Sequence, residues 1–287
     1  MNKHKIILYT IPNFDTAGGG KALLNIAKRL NKDMFKSEIC CNHTKGVFFK
    51  EVKYSDVPVH IKNTTFNMIP RIRGLLNCVK LAKYFLGLKV DLIHSFHYGP
   101  DYSEALAARL AGIPWIYTKK NMNWGQKSKN GWKLRTLLSK HILVQNKDMI
   151  RNFFPNKKNV SLVPRGIDTS KFMPRAKCKE LLSKYNIKDN QKIIITVSNL
   201  VPVKNIEFLL STYEKICMEK KDTRLFIIGD KDTQYGKELE EKAMCSKFSS
   251  SIKFTGKVVN ISDYYSIADI FVFPSKKEGC PVALLEA

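Results

Sequence analysis

Lys192-Ile193-Ile194-Ile195-Thr196-Val197-Ser198 is an apolar run of strand length, interrupted only by Thr196. An unbroken run reads as a strand buried on both faces, the signature of a parallel sheet covered by helices. Residues 206–218 then take up the helical period. Strand 224–229, helix 236–248, strand 252–255, helix 262–268, strand 270–274 and a last helix opening at 282 complete the series. Upstream lies a similar one. Strand 5–11 is succeeded by helix 20–30, strand 37–41, helix 71–86, strand 91–96, helix 102–111, and strands 115–118, 142–145 and 160–163. Between the two series, Arg165-Gly166-Ile167-Asp168 breaks the pattern, and a polar, Pro-containing stretch leads to a short helix at 178–185. Alternating strands and helices predict an α/β fold of two Rossmann-like lobes, residues 1–168 and 169–287. In such sheets ligands sit beyond the carboxyl ends of the strands, so a cleft between lobes is the expected substrate site.

The chain has 287 residues, 44% of them hydrophobic and 26% charged. At this size a core needs no covalent staple. The seven cysteines are scattered, with no C-x-x-C and no zinc spacing, which predicts reduced thiols in a cytosolic protein and no metal site. The apolar segment 6–11 is too short for a signal peptide, and no run reaches the length of a membrane span. The net charge of +24 is uneven: the first 170 residues hold 29 basic and 10 acidic side chains. Such asymmetry points to an anionic partner of the first lobe, or to a lysine-rich composition without one. Two acid-free segments, Arg71–Lys89 and Lys119–Lys140, mix cations with apolar residues. The second contains Trp124 and Trp132, residues that favour a membrane–water interface. Both are expected to dock on an anionic membrane, against the plainer reading of core-facing helices with solvated basic sides.

Certain residues have the chemistry of a site. Gly18, Gly19 and Gly20, between a strand and a helix, permit close backbone approach to a phosphate or sugar at a helix N-terminus, though such clusters are as often plain turns. His94 closes the strand Asp91-Leu92-Ile93-His94 and either faces the cleft or is structural. Lys204 lies in a loop after a buried strand, where it can neutralise a leaving diphosphate or simply face water. Glu278 and Glu286 flank a helix start, where carboxylates suit hydrogen bonding to sugar hydroxyls, or form a solvated pair.

Taken in register, these stretches resemble the retaining GT-B glycosyltransferases of family 4. The segment from Glu278 to Glu286 resembles their E-x7-E motif. Ala17–Gly20 looks like the glycine loop, Asp91–His94 like the D-h-h-H strand (h apolar), and Val163-Pro164-Arg165-Gly166-Ile167-Asp168 like the interdomain V-P-N-G-h-D. Thr196–Lys204 resembles V-G-R-L-x-x-x-K, with Leu225–Gly229 and Phe254–Gly256 matching the next two strands. The resemblance implies transfer of a sugar from a nucleotide-sugar donor to a glycan or lipid-linked acceptor, with retention and without a metal or other cofactor. Catalytic roles fall to His94, Glu278 and Lys204. Donor contacts fall to Gly18, Gly19, Gly20, Asn199, Lys204, Glu278, Gly279 and Glu286, and the acceptor side to Lys120 and His97.

The departures are specific. Asn199 stands for the usual arginine, Lys120 for a frequent histidine, Phe96 for a second histidine (with His97 one place further on), and Arg165 for asparagine. Family members continue beyond the second glutamate, so the second lobe is expected to be incomplete in a chain ending at Ala287. The expected setting is the cytoplasm, peripherally on the membrane, in cell-surface polysaccharide or lipopolysaccharide synthesis. A rival reading is an inactive fold that only binds. Nucleic-acid binding is a weaker rival, because no nucleic-acid motif is present.

Overall fold

A computed structural model describes residues 4–15, 17–46, 48–123 and 129–287. The chain divides into two compact units, residues 1–165 and 166–287. The first runs β1 (Lys5–Ile11), α1 (Ala17–Arg29), β2 (Phe35–Cys41), α2 (Phe49–Lys53), β3 (Val59–Ile61), α3 (Arg71–Leu88), β4 (Leu92–Ser95), α4 (Ser103–Leu110), β5 (Trp115–Lys119), α5 (Lys129–Leu138), β6 (His141–Val144), α6 (Lys147–Phe153) and β7 (Val160–Leu162). Its seven strands form one sheet, ordered β3-β2-β1-β4-β5-β6-β7, with every pairing parallel. The second unit runs α7 (Lys179–Lys184), β8 (Lys192–Val197), α8 (Ile206–Glu219), β9 (Thr223–Ile228), α9 (Gln234–Met244), β10 (Ile252–Gly256), α10 (Ile261–Ile267), β11 (Ile270–Phe271) and α11 (Val282–Glu286). Its four strands are parallel in the order β10-β9-β8-β11. This is the α/β architecture of the GT-B fold.

The apolar runs exist because both faces of each sheet are covered. In β8, Ile194 enters one core with Leu209, Leu225 and Ile227, while Ile193 and Ile195 enter the other with Phe226 and Ile228. Successive strand side chains point to opposite faces, so only an uninterrupted apolar strand fills both cores. In β1, Leu8 packs with Ile93, Tyr117 and Phe85, whereas Ile7, Tyr9 and Ile11 pack with Phe14, Leu23 and Ile39. Helix starts are set by local chemistry: Thr233 Oγ1 accepts from the Gly236 amide at 3.0 Å, and Asn146 Oδ1 from the Met149 amide at 2.8 Å.

Several elements differ from expectation. Helices α2, α5 and α6 and strand β3 carry weak periodic signals and escape a reading by pattern alone. β11 is two residues long rather than five, although the Val272 amide still donates to Ile195 O at 2.8 Å. α9 ends at Met244 rather than 248, giving way to a 3-10 turn at Ser249–Ser251.

The second basic segment turns part of its cations inward, while Lys129, Lys133 and Lys140 stay exposed. Lys119, Lys120, Trp132 and Arg135 are all buried. The Arg135 guanidinium lies 4.8 Å from the ring centroids of both Trp115 and Tyr117, and the Lys119 ammonium 5.0 Å from that of Trp132. These cations turn inward because aromatic faces and backbone carbonyls replace their water. Trp124 and Lys127 lie outside the described residues. No helix among the described residues is long and apolar enough to cross a membrane.

Candidate functional site

In the second unit, Lys204 and Glu278 are 74 residues apart in sequence and meet beyond the carboxyl ends of β8 and β11. Lys204 ends a 3-10 turn (Pro202–Lys204), and Asn205 then takes a left-handed conformation (φ 58) that starts α8. The Asn205 side-chain amide reaches toward Pro274 O at 3.4 Å, and the Lys276 amide donates to Val203 O at 2.9 Å. Those bonds tie the two loops together. Lys204 Nζ thus donates to Glu278 Oε1 at 2.6 Å and sits 5.1 Å from the Phe273 ring centroid. The pair is half-buried, and an ammonium with one proton on a carboxylate keeps two more for other acceptors.

Asn199 is exposed at the tip of β8, while the Thr196, Ser198 and Ser275 hydroxyls are buried without a hydrogen-bond partner among the described residues. Gly279 leads into α11. Glu286, at its other end, lies beside Tyr265, whose hydroxyl donates to Ala283 O at 3.2 Å. Burial first, then the Glu286 carboxylate, raises the Tyr265 phenol well above its usual value. Glu286 lines a cleft within this unit together with Lys171, Phe172, Arg175 and Tyr265. Glu278 and Glu286 therefore have different immediate partners, an ammonium and a phenol.

In the first unit the three glycines occupy the first turn of α1 rather than a loop before it. A Cβ on Gly19 would stand 2.8 Å from Tyr98 Oη and 3.7 Å from Lys120 Nζ; one on Gly20 would stand 2.6 Å from the Phe14 ring; one on Gly18 would meet nothing within 4 Å. Lys120 comes directly after β5, donates to Phe96 O, and lies 3.4 Å from the Tyr98 ring centroid. Burial, then Arg165 and Arg135, lowers its proton affinity well below that of an ordinary lysine.

His94 is buried at the end of β4. Its Nε2 is 2.8 Å from Thr118 Oγ1, and its ring lies 4.6 and 5.4 Å from those of Phe96 and Tyr9. Burial, with Lys120 adding to it, lowers its pKa to about 3, so the imidazole is neutral. His97 is also buried, with Nε2 3.1 Å from Thr64 Oγ1 and 3.6 Å from Glu104 Oε1. Burial outweighs the Glu104 charge and lowers its pKa to about 4.

Sequence reasoning missed the part of this polar core that Arg135, Asp101 and Glu104 supply. Arg135 donates to Asp101 O at 2.7 Å and to Ser95 Oγ at 3.3 Å, and Trp115 Nε1 donates to fully buried Glu104 at 3.0 Å. Burial alone would raise the Glu104 carboxyl, but His97, hydrogen bonds from Ser95 and Thr64, and Arg135 together hold it below its usual value. Its one sequence signal was a glutamate inside an otherwise apolar helix face, 103–108. Among the described residues no three His, Cys, Asp or Glu side chains form a metal-binding group.

Two parallel-sheet units, the second with an ammonium–carboxylate pair beyond its strand ends, define a protein of the GT-B class. The chain belongs to the glycosyltransferases of family 4: residues 16–171 match Glycosyltransferase Family 4 and residues 179–287 match Glycosyl transferases group 1. It is 31% identical to the putative glycosyltransferase EpsF of Bacillus subtilis, over all of this chain and 77% of that one. It is 25% identical to an Escherichia coli UDP-Gal:alpha-D-GlcNAc-diphosphoundecaprenol alpha-1,3-galactosyltransferase, over 80% of this chain and 62% of that one. Anabaena Alr3699/HepE, solved with UDP and glucose, shares the fold at a TM-score of 0.76 and 16% identity, covering 95% of this chain and 74% of that one.

Proposed function

We propose that this chain moves a sugar from a nucleotide-sugar donor to a glycan or lipid-linked acceptor, with retention of the anomeric configuration, in cell-surface polysaccharide or lipopolysaccharide synthesis. The observation that carries the reading is the 2.6 Å Lys204–Glu278 pair beyond the strand ends. Glu278 fixes the ammonium in place, and its remaining protons meet the donor diphosphate as the glycosidic bond breaks and negative charge gathers there. In this reading the Glu278 carboxylate and the Gly279 amide also hold sugar hydroxyls, Glu286 contacts the nucleotide ribose, and Asn199 adds a neutral contact where arginine is usual. Gly18, Gly19 and Gly20 let the ligand approach the backbone of α1. His94, Lys120 and His97 shape the acceptor side. Lys204 and helix-end amides take the role a metal would otherwise fill, so no metal or other cofactor is needed.

A UDP complex of a protein with the same fold supports the donor class, and a relative named for a diphosphoundecaprenol-linked substrate supports the acceptor class. In this reading the protein works in the cytoplasm, peripherally on the membrane. The relatives are named as transferases, which favours an enzyme over a protein that only binds. Isothermal calorimetry with UDP-sugars tests the donor site. Lys204→Ala and Glu278→Ala should each weaken binding about ten- to hundredfold, the loss of one charge-assisted hydrogen bond of about 1.5–3 kcal/mol. Unchanged affinity in both variants removes the assignment. NMR of the product anomer decides retention.

A further inference from the structure

Lys120 and Arg165 lie beyond the carboxyl ends of β5 and β7, with β6 between those strands in the first sheet. Lys120 directly follows β5, whose last residue, Lys119, is the register partner of Val144 on β6. Arg165 comes three residues after β7, and the Val163 amide donates to Val144 O at 2.8 Å, which keeps the two at one level. Neighbouring strands are about 4.8 Å apart, so these two long side chains can close on one ion at the edge where such sheets bind ligands. Lys120 is buried, with one proton on Phe96 O and its ammonium against the Tyr98 ring. The charges that bear on it are those of Arg165 and Arg135, both of its own sign. Arg135 has the Glu104 charge and the Asp101 carbonyl beside it. Among the described residues no carboxylate pairs with Lys120 or Arg165, and Arg165 Nε is buried without a hydrogen-bond partner. Nor does the surrounding sequence hold a counter-ion. Residues 115–167 contain twelve lysines and arginines and one acid, Asp148, which is exposed and paired with Arg151.

We propose that Lys120 and Arg165 together bind a phosphate group of the acceptor. The proposal rests on the reading of a lipid-linked acceptor and names the part of it that is recognised, a sugar phosphate or diphosphate rather than the lipid chain. Enclosing two like charges is costly without an anion between them, and a phosphate supplies one with oxygens for both. The guanidinium offers a planar fork and the ammonium a point charge, the two ways in which side-chain cations hold phosphate. Lys120 spends one proton on Phe96 O and keeps others for that anion. In the same reading the donor diphosphate is met by Lys204 in the other unit, which leaves these cations for the second substrate.

Isothermal calorimetry of the full chain, saturated with UDP and titrated with inorganic pyrophosphate, tests it. With UDP in place, pyrophosphate should still bind, and Arg165→Gln should weaken that binding about tenfold, the loss of one charge-assisted hydrogen bond. Lys120→Met should weaken it by a similar factor. Because Lys120 is enclosed, its variant is compared with wild type by circular dichroism, whereas half-buried Arg165 gives a readout that does not depend on repacking. UDP affinity should be unchanged in Arg165→Gln. No pyrophosphate binding to the UDP-saturated chain, or undiminished binding in Arg165→Gln, overturns the proposal. So does a parallel loss of UDP affinity in Arg165→Gln, which would make the phosphate the donor's. Lys204→Ala keeps this proposal separate from the donor site. If that variant retains its UDP affinity while Arg165→Gln loses pyrophosphate, the donor assignment falls and the acceptor phosphate site stands.

Discussion

His94 and His97 are three residues apart, and both rings are enclosed and neutral. Their folded pKa values, about 3 and about 4, lie below the ordinary 6.5, so between those limits the unfolded chain binds more protons than the folded one. Stability from this source is unaffected above about pH 6.5 and falls as the pH drops toward the folded values. From pH 6.5 to 5 the loss is about 2 kcal/mol for each histidine. Urea unfolding at pH 7 and pH 5 should show a smaller acid loss in His94→Gln than in the wild type; equal losses would mean that the ring is not held neutral. The sequence placed His94 at a strand end but not inside its aromatic enclosure. That enclosure comes from Tyr9, its register partner on β1, 85 residues away. Arg135 shows the same limit: within an acid-free run it reads as a surface cation, and only the folded chain supplies Trp115, Tyr117 and the Asp101 carbonyl around it.

Strands were legible where both faces are buried, because β1, β8 and β9 need continuous apolar sequence to fill two cores. α5 and α6 were less so, since tertiary contacts rather than pattern decide them: of α5, Trp132 and Arg135 are buried and neighbouring Lys133 and Leu134 are exposed. The tips of β8 and β9 bear on the site most directly. Gly229 ends β9 so close to the backbone carbonyl of Ser198 that an added Cβ would clash with it, and Leu200 crowds the same space at 3.2 Å. Its amide donates to Gly256 O at 3.2 Å. Backbone cannot yield as a side chain can, so Gly229→Ala should cost about 3 kcal/mol in urea unfolding. The displaced 198–204 segment carries Asn199 and Lys204, so UDP-sugar affinity should fall in the same variant. Full stability with full affinity would show that the strand tips tolerate a side chain there.

Across the whole molecule, the two units differ in both charge and chemistry. The first carries most of the excess of cations and a buried histidine–lysine–arginine core; the second carries the Lys204–Glu278 pair. The proposed function gives the acceptor to the first unit and the donor to the second, a division that kinetics can test. Lys120 is the informative residue. It stands where the family often has a histidine, its ammonium lies under the first turn of α1 near Gly19, and its environment lowers its proton affinity. If it acts on the acceptor, Lys120→Met, which keeps the length of the side chain but removes the ammonium, should lower turnover at saturating donor while leaving donor affinity within about twofold, the pattern of an interaction made after donor binding. Lys204→Ala should show the opposite bias, with the loss appearing in donor affinity. A Lys120→Met protein that loses donor affinity and turnover together would place Lys120 with the donor. One that keeps both would leave it a structural lysine, held by the Phe96 carbonyl and the Tyr98 ring.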